Sequence, residues 1–479
     1  MAGSTVQIAV FLGITALIGF LTWLKCREPR AHTSNDNRDY FLAGGSLNWI
    51  FIAGSITLTN LSTDQLVGMN GNQMLLIAWW EIAAVIGLIV LAYVFLPLYY
   101  KYQCTTTTEL LEKKLGDKYL RALIATLFLL GGLFIYLPIM LYTGSLFLRS
   151  MLNSDLPIIV FAIGFAIVGS AYAIFGGLRA VAVSDTYSGV GLLALCLLLV
   201  FLALKAIDFD FSGIPPERLT MIGDSDSPIP WHTLLTGMIF IQVFYWSFNQ
   251  VITQRAMAAP NIKEAQKGVM AAAGIRLLIV PVIIALPGVI AYKLYGDVND
   301  AAYGRLVGDI LPPWLSGAFA AMMAAAVLTS FNSGLNSAAA LYVVDIHERF
   351  FKPNPKVRQL AIAMTIGFVV LALFMVPVYQ DAESIINLVQ QLNVLISMPV
   401  LSAFLLAIFF RNVAGGAATA AVIFGVVLYV YLNTPYAPFT IHYIHLALIT
   451  LIACILFALG VNKFVYGRTA SFRLSDEGA

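Results

Sequence analysis

Four groups of polar residues interrupt otherwise apolar stretches of this chain, and their composition suits particular chemistry. The first is Thr57-Leu58-Thr59-Asn60-Leu61-Ser62-Thr63-Asp64-Gln65, set between Gly54 and Gly68. The second is Gln242 followed by Tyr245-Trp246-Ser247-Phe248-Asn249-Gln250. The third begins at Thr329-Ser330-Phe331-Asn332-Ser333 and continues to Asn336-Ser337. The fourth is a separated pair, Glu81 and Arg276, each inside its own apolar run. On a helix Thr329, Ser333 and Ser337 share one face, with Asn332 and Asn336 on the next. Hydroxyls in helices often bond back to the i−4 carbonyl. That habit explains one or two such residues, not six in nine positions. Neutral oxygens without carboxylates suit a hard monovalent cation such as sodium, whereas calcium calls for several carboxylates. Carbonyls released by a break in the first group would complete such a shell. Glu81 and Arg276 are either a structural ion pair or part of a polar ligand site, because a charge at membrane depth costs about 2.5–3.5 kcal/mol and needs a partner or a polar interior.

The elements that must hold these groups follow from composition. Of 479 residues, 60% are apolar and 11% charged, with 27 Lys+Arg and 25 Asp+Glu. Soluble domains carry about twice that share of charge, so a soluble enzyme, a nucleic-acid binder and a disordered scaffold are excluded for the chain as a whole. Runs of about 20 apolar residues can cross a bilayer. Thirteen are found, at 6–24, 47–70, 74–100, 119–148, 157–175, 185–206, 232–254, 268–293, 311–344, 358–378, 384–410, 414–432 and 442–464. The first lacks the basic start and cleavage site of a signal peptide and is read as a retained span. Alternate loops carry twenty lysines and arginines on one side against five on the other. The positive-inside bias therefore puts the N-terminus outside and the C-terminus in the cytoplasm. The two interrupted spans at 47–70 and 232–254 lie five spans apart, so they cross in opposite directions, as two inverted five-helix repeats would require. The corresponding division is an extra helix and loop (1–46), a first repeat (47–206), an outer loop (207–231), a second repeat (232–411) and two further helices with a tail (412–479).

No GxxxxGK[ST], HExxH, GxSxG or CxxC occurs. ATP hydrolysis and the common hydrolytic and redox chemistries therefore have no sequence support. Cys26, Cys104, Cys196 and Cys454 are spaced as isolated apolar thiols. His442 and His445 are read as interfacial residues at the outer end of the last span, and Gly176-Gly177 as a tight loop between the fifth and sixth.

Several motifs together resemble the solute:sodium symporter family, in its sodium–sugar branch. They are Asp39-Tyr40-Phe41-Leu42-Ala43-Gly44-Gly45-Ser46-Leu47-x-Trp49, Asn60-Leu61-Ser62-Thr63-Asp64-Gln65-x-x-Gly68-Met69, Tyr245-Trp246-x-Phe248-Asn249-Gln250-x-x-x-Gln254-Arg255, Glu264-Ala265-Gln266-Lys267-Gly268 and Leu335-Asn336-Ser337. The match spans about residues 38–411. It implies an all-α membrane protein with a LeuT-type core of two inverted five-helix repeats, about 13 transmembrane helices in all.

The resemblance also implies roles. A sodium site would use the carbonyls of Leu58, Leu61 and Ala326 and the hydroxyls of Thr329 and Ser330. A second sodium would lie near Asp185, Asn332 and Ser333, with asparagine standing where such members have serine. Sugar contacts would come from Asn60, Gln65, Glu81, Gln242, Arg276 and Gln390. Tyr245 would close the site from inside, and Met69, Trp80 and Ile386 from outside. Arg276 replaces a usual lysine, and a planar guanidinium suits carboxylates, which raises an acidic sugar as an option. Alternatively Glu81 neutralises Arg276. The expected activity is sodium-coupled symport of a monosaccharide by alternating access. The expected protein has no cofactor beyond sodium as coupling ion, no nucleic-acid partner, a lipid bilayer as solvent and a monomeric functional unit in a bacterial inner membrane. The rival readings are a carboxylate, amino acid or nucleobase as the solute, and, in another class, an intramembrane enzyme or sensor.

Overall fold

The structure is a computed structural model. It describes residues 2–26, 42, 45–351, 357–380, 384–434, 437 and 441–472; within helices the side chains of residues 2–4, 23, 25, 26, 58, 59, 171–183, 185 and 186 are outside the description. The conserved-looking stretch Asp39-Tyr40-Phe41 and the Asp185 side chain thus lie outside the described residues.

Sixteen helices matter here: α1 (Ala2–Cys26), α2 (Trp49–Asn60), α3 (Asp64–Met69, a π-turn), α4 (Leu75–Lys101), α5 (Glu109–Leu115), α6 (Lys118–Met151), α7 (Ile158–Ala206), α8 (Gly237–Phe248), α9 (Gln250–Met257), α10 (Ile262–Tyr295), α11 (Ala302–Ile310), α12 (Pro313–Phe350), α13 (Val357–Tyr379), α14 (Ile385–Phe409), α15 (Gly415–Leu432) and α16 (Tyr443–Phe464). Among the described residues ten helices are long and apolar enough to cross a membrane. Two further apolar stretches, Ile158–Ser170 and Gly237–Phe248, are shorter. A two-residue antiparallel pairing of β1 (Phe410–Arg411) with β2 (Ser471–Phe472) ties the region after α14 to the chain beyond α16.

The spans expected at 157–175 and 185–206 differ from expectation. Helical backbone runs without interruption through α7 for 49 residues, and Gly176-Gly177 sit inside it and not in a loop. At ~1.5 Å per residue that is roughly 74 Å, more than twice a bilayer core. Glycine lowers helix propensity by about 1 kcal/mol but removes no backbone donor, so two glycines alone do not end a helix as a proline does.

The centre of the molecule is α12, of whose most apolar stretch 83% is buried. Its small residues explain this. Without a hydrophobic force between helices in lipid, close backbone approach through Gly, Ala, Ser and Thr is what packs them. A Cβ on Gly317 would lie 2.4 Å from the Gln7 carbonyl oxygen of α1, and the Gln7 amide donates to the Ser316 hydroxyl at 3.0 Å. Helices α2, α6, α7 and α13 also pack on α12. At the other side α14, α15 and α16 pack together. Cys104, Cys196 and Cys454 are buried thiols.

A second organising feature is a buried ionic cluster near the end of α12. Arg121 of α6 bonds Asp345 (2.5 Å), Glu112 (2.6 Å) and Glu109 (3.1 Å). The hydroxyls of Thr106 and Thr108 donate to the same Asp345 carboxylate at 2.8 and 2.6 Å. Gln250, the first residue of α9, accepts from the Thr107 backbone N–H at 2.9 Å. Thus the segment 105–108 and α5 fasten α6, α9 and α12 to one another.

Candidate functional site

Both interrupted spans are broken where their polar inserts fall. Helix α2 ends at Asn60; Leu61 and Ser62 leave helical geometry, and the chain resumes at Thr63 into the π-turn α3. Thr63 is tied to α6, since the Thr143 hydroxyl bonds the Thr63 hydroxyl at 3.0 Å. Helix α8 ends at Phe248. Asn249 takes an extended conformation, and its side chain caps α9 by accepting from the Val251 N–H at 3.0 Å. Asparagine is suited to that dual role, because its amide oxygen satisfies a donor left free at a helix start.

The end of α2 and the last turns of α8 border a cavity whose walls include Asn60, Gln65, Glu81, Gln242 and Gln390 together with Met69, Trp80, Tyr245 and Ile386. Nine of the ten residues expected to touch or gate a sugar therefore share one cavity. The tenth, Arg276, does not line it. Its side chain is fully buried and bonded to Glu81 at 2.8 Å. It also donates to the Gln65 side chain at 3.1 Å and the Thr57 carbonyl at 3.2 Å, and its guanidinium lies 4.5 Å from the Trp246 ring centroid. Gln65 completes a triangle by donating to Glu81 at 2.6 Å. The positions are favourable for both charges. Glu81 is in the first turn of the α-helical part of α4, and Arg276 in the last turn of the segment Ile262–Leu278, so each faces the helix-dipole end of opposite sign. The buried pair thus orients Gln65 and Glu81 toward the cavity; both terminal guanidinium nitrogens are engaged from within, while Nε has no hydrogen-bond partner among the described residues.

Gln242 is held as well. Its amide donates to the Trp80 carbonyl at 2.8 Å and accepts from the Trp246 indole at 3.0 Å. This is possible because α4 and α8 touch at Gly87, where any Cβ would sit 2.4 Å from the Gln242 carbonyl oxygen. Gln390 carries no hydrogen bond among the described residues and is turned to the cavity.

The side closed by Met69, Trp80 and Ile386 is tightly packed; none of the three exceeds 4% exposure. Asn70, next to α3, donates to the Ile283 carbonyl at 3.2 Å and accepts from the Gly288 N–H at 2.7 Å, anchoring α3 to α10. Asp300, in the turn before α11, accepts from the Ile385 N–H at 3.1 Å and so caps the start of α14 beside Ile386. Burial pushes the Asp300 carboxyl up to about 7. The stretch 207–236 lies over the same end, where the Trp79 indole donates to the Met221 carbonyl at 2.7 Å. His232 and His445 stack there, with ring nitrogens 2.6 Å apart.

On the opposite side a second, larger cavity, lined by Asn249 at the second break, approaches the first. Tyr136, Asp64, Tyr245 and Asn393 line both. Tyr245 donates to the Asn60 side chain at 2.5 Å and Tyr136 to the Asn393 side chain at 2.6 Å. Two tyrosine–asparagine bonds therefore form the floor between the cavities. Of these residues Tyr245 and Asn60 were legible beforehand. Tyr136 and Asn393 sit singly in long apolar runs, with no periodic cue. Asp64 belongs to the polar insert but had no role assigned.

The expected sodium ligands fall where α2 meets α12. Leu61 is fully buried at the end of α2; the Leu58 side chain lies outside the description. Thr329 donates its hydroxyl proton back to the Ala325 carbonyl at 2.9 Å and the Ala326 carbonyl at 3.3 Å. The Thr329 hydroxyl so oriented keeps its lone pairs, whereas the Ala326 carbonyl, inside helix α12, already accepts from that hydroxyl. Ser330 is fully buried. One turn further, Arg255 bridges the same two helices through the Ser55 hydroxyl at 2.8 Å and the Ser333 hydroxyl. Asn332 is fully buried, and neither of its amide atoms has a hydrogen-bond partner among the described residues.

The profile of the sodium:solute symporter family matches residues 40–425. The chain belongs to the sodium:solute symporter family. Among curated relatives it is 32% identical to the uncharacterized symporter YidK of Escherichia coli K12, over 99% of this chain and 86% of that protein. It is 29% identical to the sodium/glucose cotransporter of Vibrio parahaemolyticus, over 88% and 83% of the two chains. A solved structure of a Na+-coupled sialic acid symporter in a substrate-bound, outward-open state superposes with a TM-score of 0.81 at 18% identity, covering 95% of this chain and 97% of that one. The fold is accordingly that of the LeuT-type transporters, and this family member is a multi-pass membrane transporter, not an enzyme.

Proposed function

We propose that this transporter couples inward sodium movement to uptake of a monosaccharide or related polyol, as a monomer in a bacterial inner membrane. The observation that carries the reading is the cavity itself. Asn60, Gln65, Glu81 and Gln390, side chains able to bond hydroxyls in pairs, converge on one space bounded by Tyr245 on one side and by Met69, Trp80 and Ile386 on the other. The sodium/glucose relative supports the same solute class.

Coupling follows from shared elements. Sodium is cargo here, held by the carbonyls of Leu58, Leu61 and Ala326 and the hydroxyls of Thr329 and Ser330. Its binding draws the end of α2 to α12 and fixes the orientation of Asn60 and Gln65, which lie on either side of Leu61 in the same segment. Because each solute stabilises the arrangement the other needs, binding is reciprocal. Loss of sodium loosens the end of α2, Asn60 releases Tyr245, and the sugar leaves through the larger cavity. The unbonded amide of Asn332 beside Ser333 supports a second sodium position near Asp185. The membrane potential adds about 2.3 kcal/mol per charge per 100 mV.

The test is uptake of radiolabelled sugars into liposomes holding the purified protein, with a sodium gradient or a potassium gradient outside. Sodium-driven accumulation of at least one sugar, abolished by a sodium ionophore, is expected. Accumulation of an amino acid or nucleobase, with no sugar transported, would sink the reading.

A further inference from the structure

The charge carried by the cavity walls points beyond "a sugar". Two carboxylates line the cavity, Asp64 and Glu81, and none of the lining residues is a lysine, arginine or histidine. The Glu81 charge is balanced from behind by Arg276 at 2.8 Å. Asp64 has no such partner. The Ser62 hydroxyl donates to it, and no ion pair reaches it among the described residues. The side chain is half-buried and lines the cavity. It also lines the larger cavity on the inner side, again without a basic neighbour among the lining residues.

We propose that Asp64 sets the charge selectivity of this transporter: the site accepts an uncharged or amino-bearing polyol and excludes anionic sugars. The proposal rests on the reading of this cavity as the solute site. An acidic sugar would need a free cation, and the guanidinium beside the cavity has both terminal nitrogens committed to Glu81, Gln65 and the Thr57 carbonyl. Breaking that set would leave Glu81 buried without its counter-charge, which is strongly unfavourable. An anion would also meet Asp64 twice, once in the cavity and again on leaving through the floor. A like charge at ~6 Å with an effective dielectric of about 20 weakens binding by roughly a hundredfold. An ammonium group on the solute gains by the same interaction. Arg276, read from sequence as a possible carboxylate receptor, is on this account a positioning residue for Gln65 and Glu81.

The experiment is sodium-dependent uptake of D-glucose, myo-inositol, D-glucosamine, D-glucuronate and N-acetylneuraminate by the full chain in liposomes, at one sodium gradient. Neutral or amino probes are expected to be taken up, with the two acids at least about tenfold weaker. Asp64→Asn should narrow the ratio of acid to neutral uptake to within about threefold, whatever its absolute rate, and should remove any advantage of the amino sugar. Wild-type uptake of an acid equal to or above the neutral probes overturns this inference while leaving sodium–sugar symport standing. An Asp64→Asn protein that keeps the full ratio overturns it as well. Should that variant not fold, the wild-type panel alone decides. Absence of sodium-dependent uptake of every sugar overturns the symport reading, and this inference with it.

Discussion

At the scale of single residues the chain separates groups that hold the site from groups that meet the cargo. On the proposed coupling, Ser330 is of the second kind. On the proposed sodium shell, Ser330→Ala removes one of two hydroxyls while leaving α12 packed, since a buried alanine replaces a side chain only one oxygen larger. Sodium-driven uptake is expected to fall by more than tenfold, with the half-saturating sodium concentration raised; a wild-type sodium dependence in liposomes would contradict the assignment. Arg276 is of the first kind. Arg276→Met leaves Glu81 buried without its counter-charge, a loss of about 3–5 kcal/mol for such a pair. The double variant Arg276→Met with Glu81→Gln should recover most of the lost thermal stability, because both charges are then gone. A double variant as unstable as the single one would show that the pair is not what holds this wall.

At the scale of elements, two breaks and one close approach decide the geometry. The interruptions at Leu61-Ser62 and Asn249 were visible as polar inserts with poor helix formers, and the helices end within them. The contact of α4 with α8 at Gly87 was not visible, because one glycine in an apolar run has no distinguishing neighbour. Gly87→Val should push α8 away, displace Gln242 from Trp80 and cost about 1–3 kcal/mol through overpacking. The expected readout is a lower unfolding temperature together with weaker sugar binding. A variant with unchanged binding would mean that Gln242 is not held by that contact. The ionic cluster of Arg121 with Glu109, Glu112 and Asp345 joins residues up to 236 positions apart, counting from Glu109 to Asp345. Charges in loops and at helix ends carry no mark of which of them will meet.

At the scale of the whole molecule, the end closed by Met69, Trp80 and Ile386 joins parts distant in sequence, and Asp300 takes part in that joining. Its carboxyl is raised by burial to about 7, although the Ile385 N–H favours the charged form. Between the ordinary carboxylate range and that value the folded chain keeps a proton that the unfolded chain has released. Stability should therefore fall as pH rises from about 4 to 7. Asp300→Asn should flatten that slope in thermal unfolding measured between pH 4.5 and 8. A slope identical to wild type would show that other groups produce it.

Composition, the positions of apolar runs and the polar inserts by themselves determined that the chain is a membrane protein and that two of its helices would break at Leu61-Ser62 and near Asn249. These are properties of a chain dissolved in lipid, where every unbonded backbone group and every charge is expensive and so is placed deliberately. Tertiary structure alone decided that Arg276 faces Glu81 and not the cavity, that Tyr136 and Asn393 complete the floor, and that Asp64 stands there without a counter-ion among the described residues. Partnership between side chains far apart in sequence depends on the rotation and depth of whole helices. Those are set by the sum of all packing contacts, not by any local spacing.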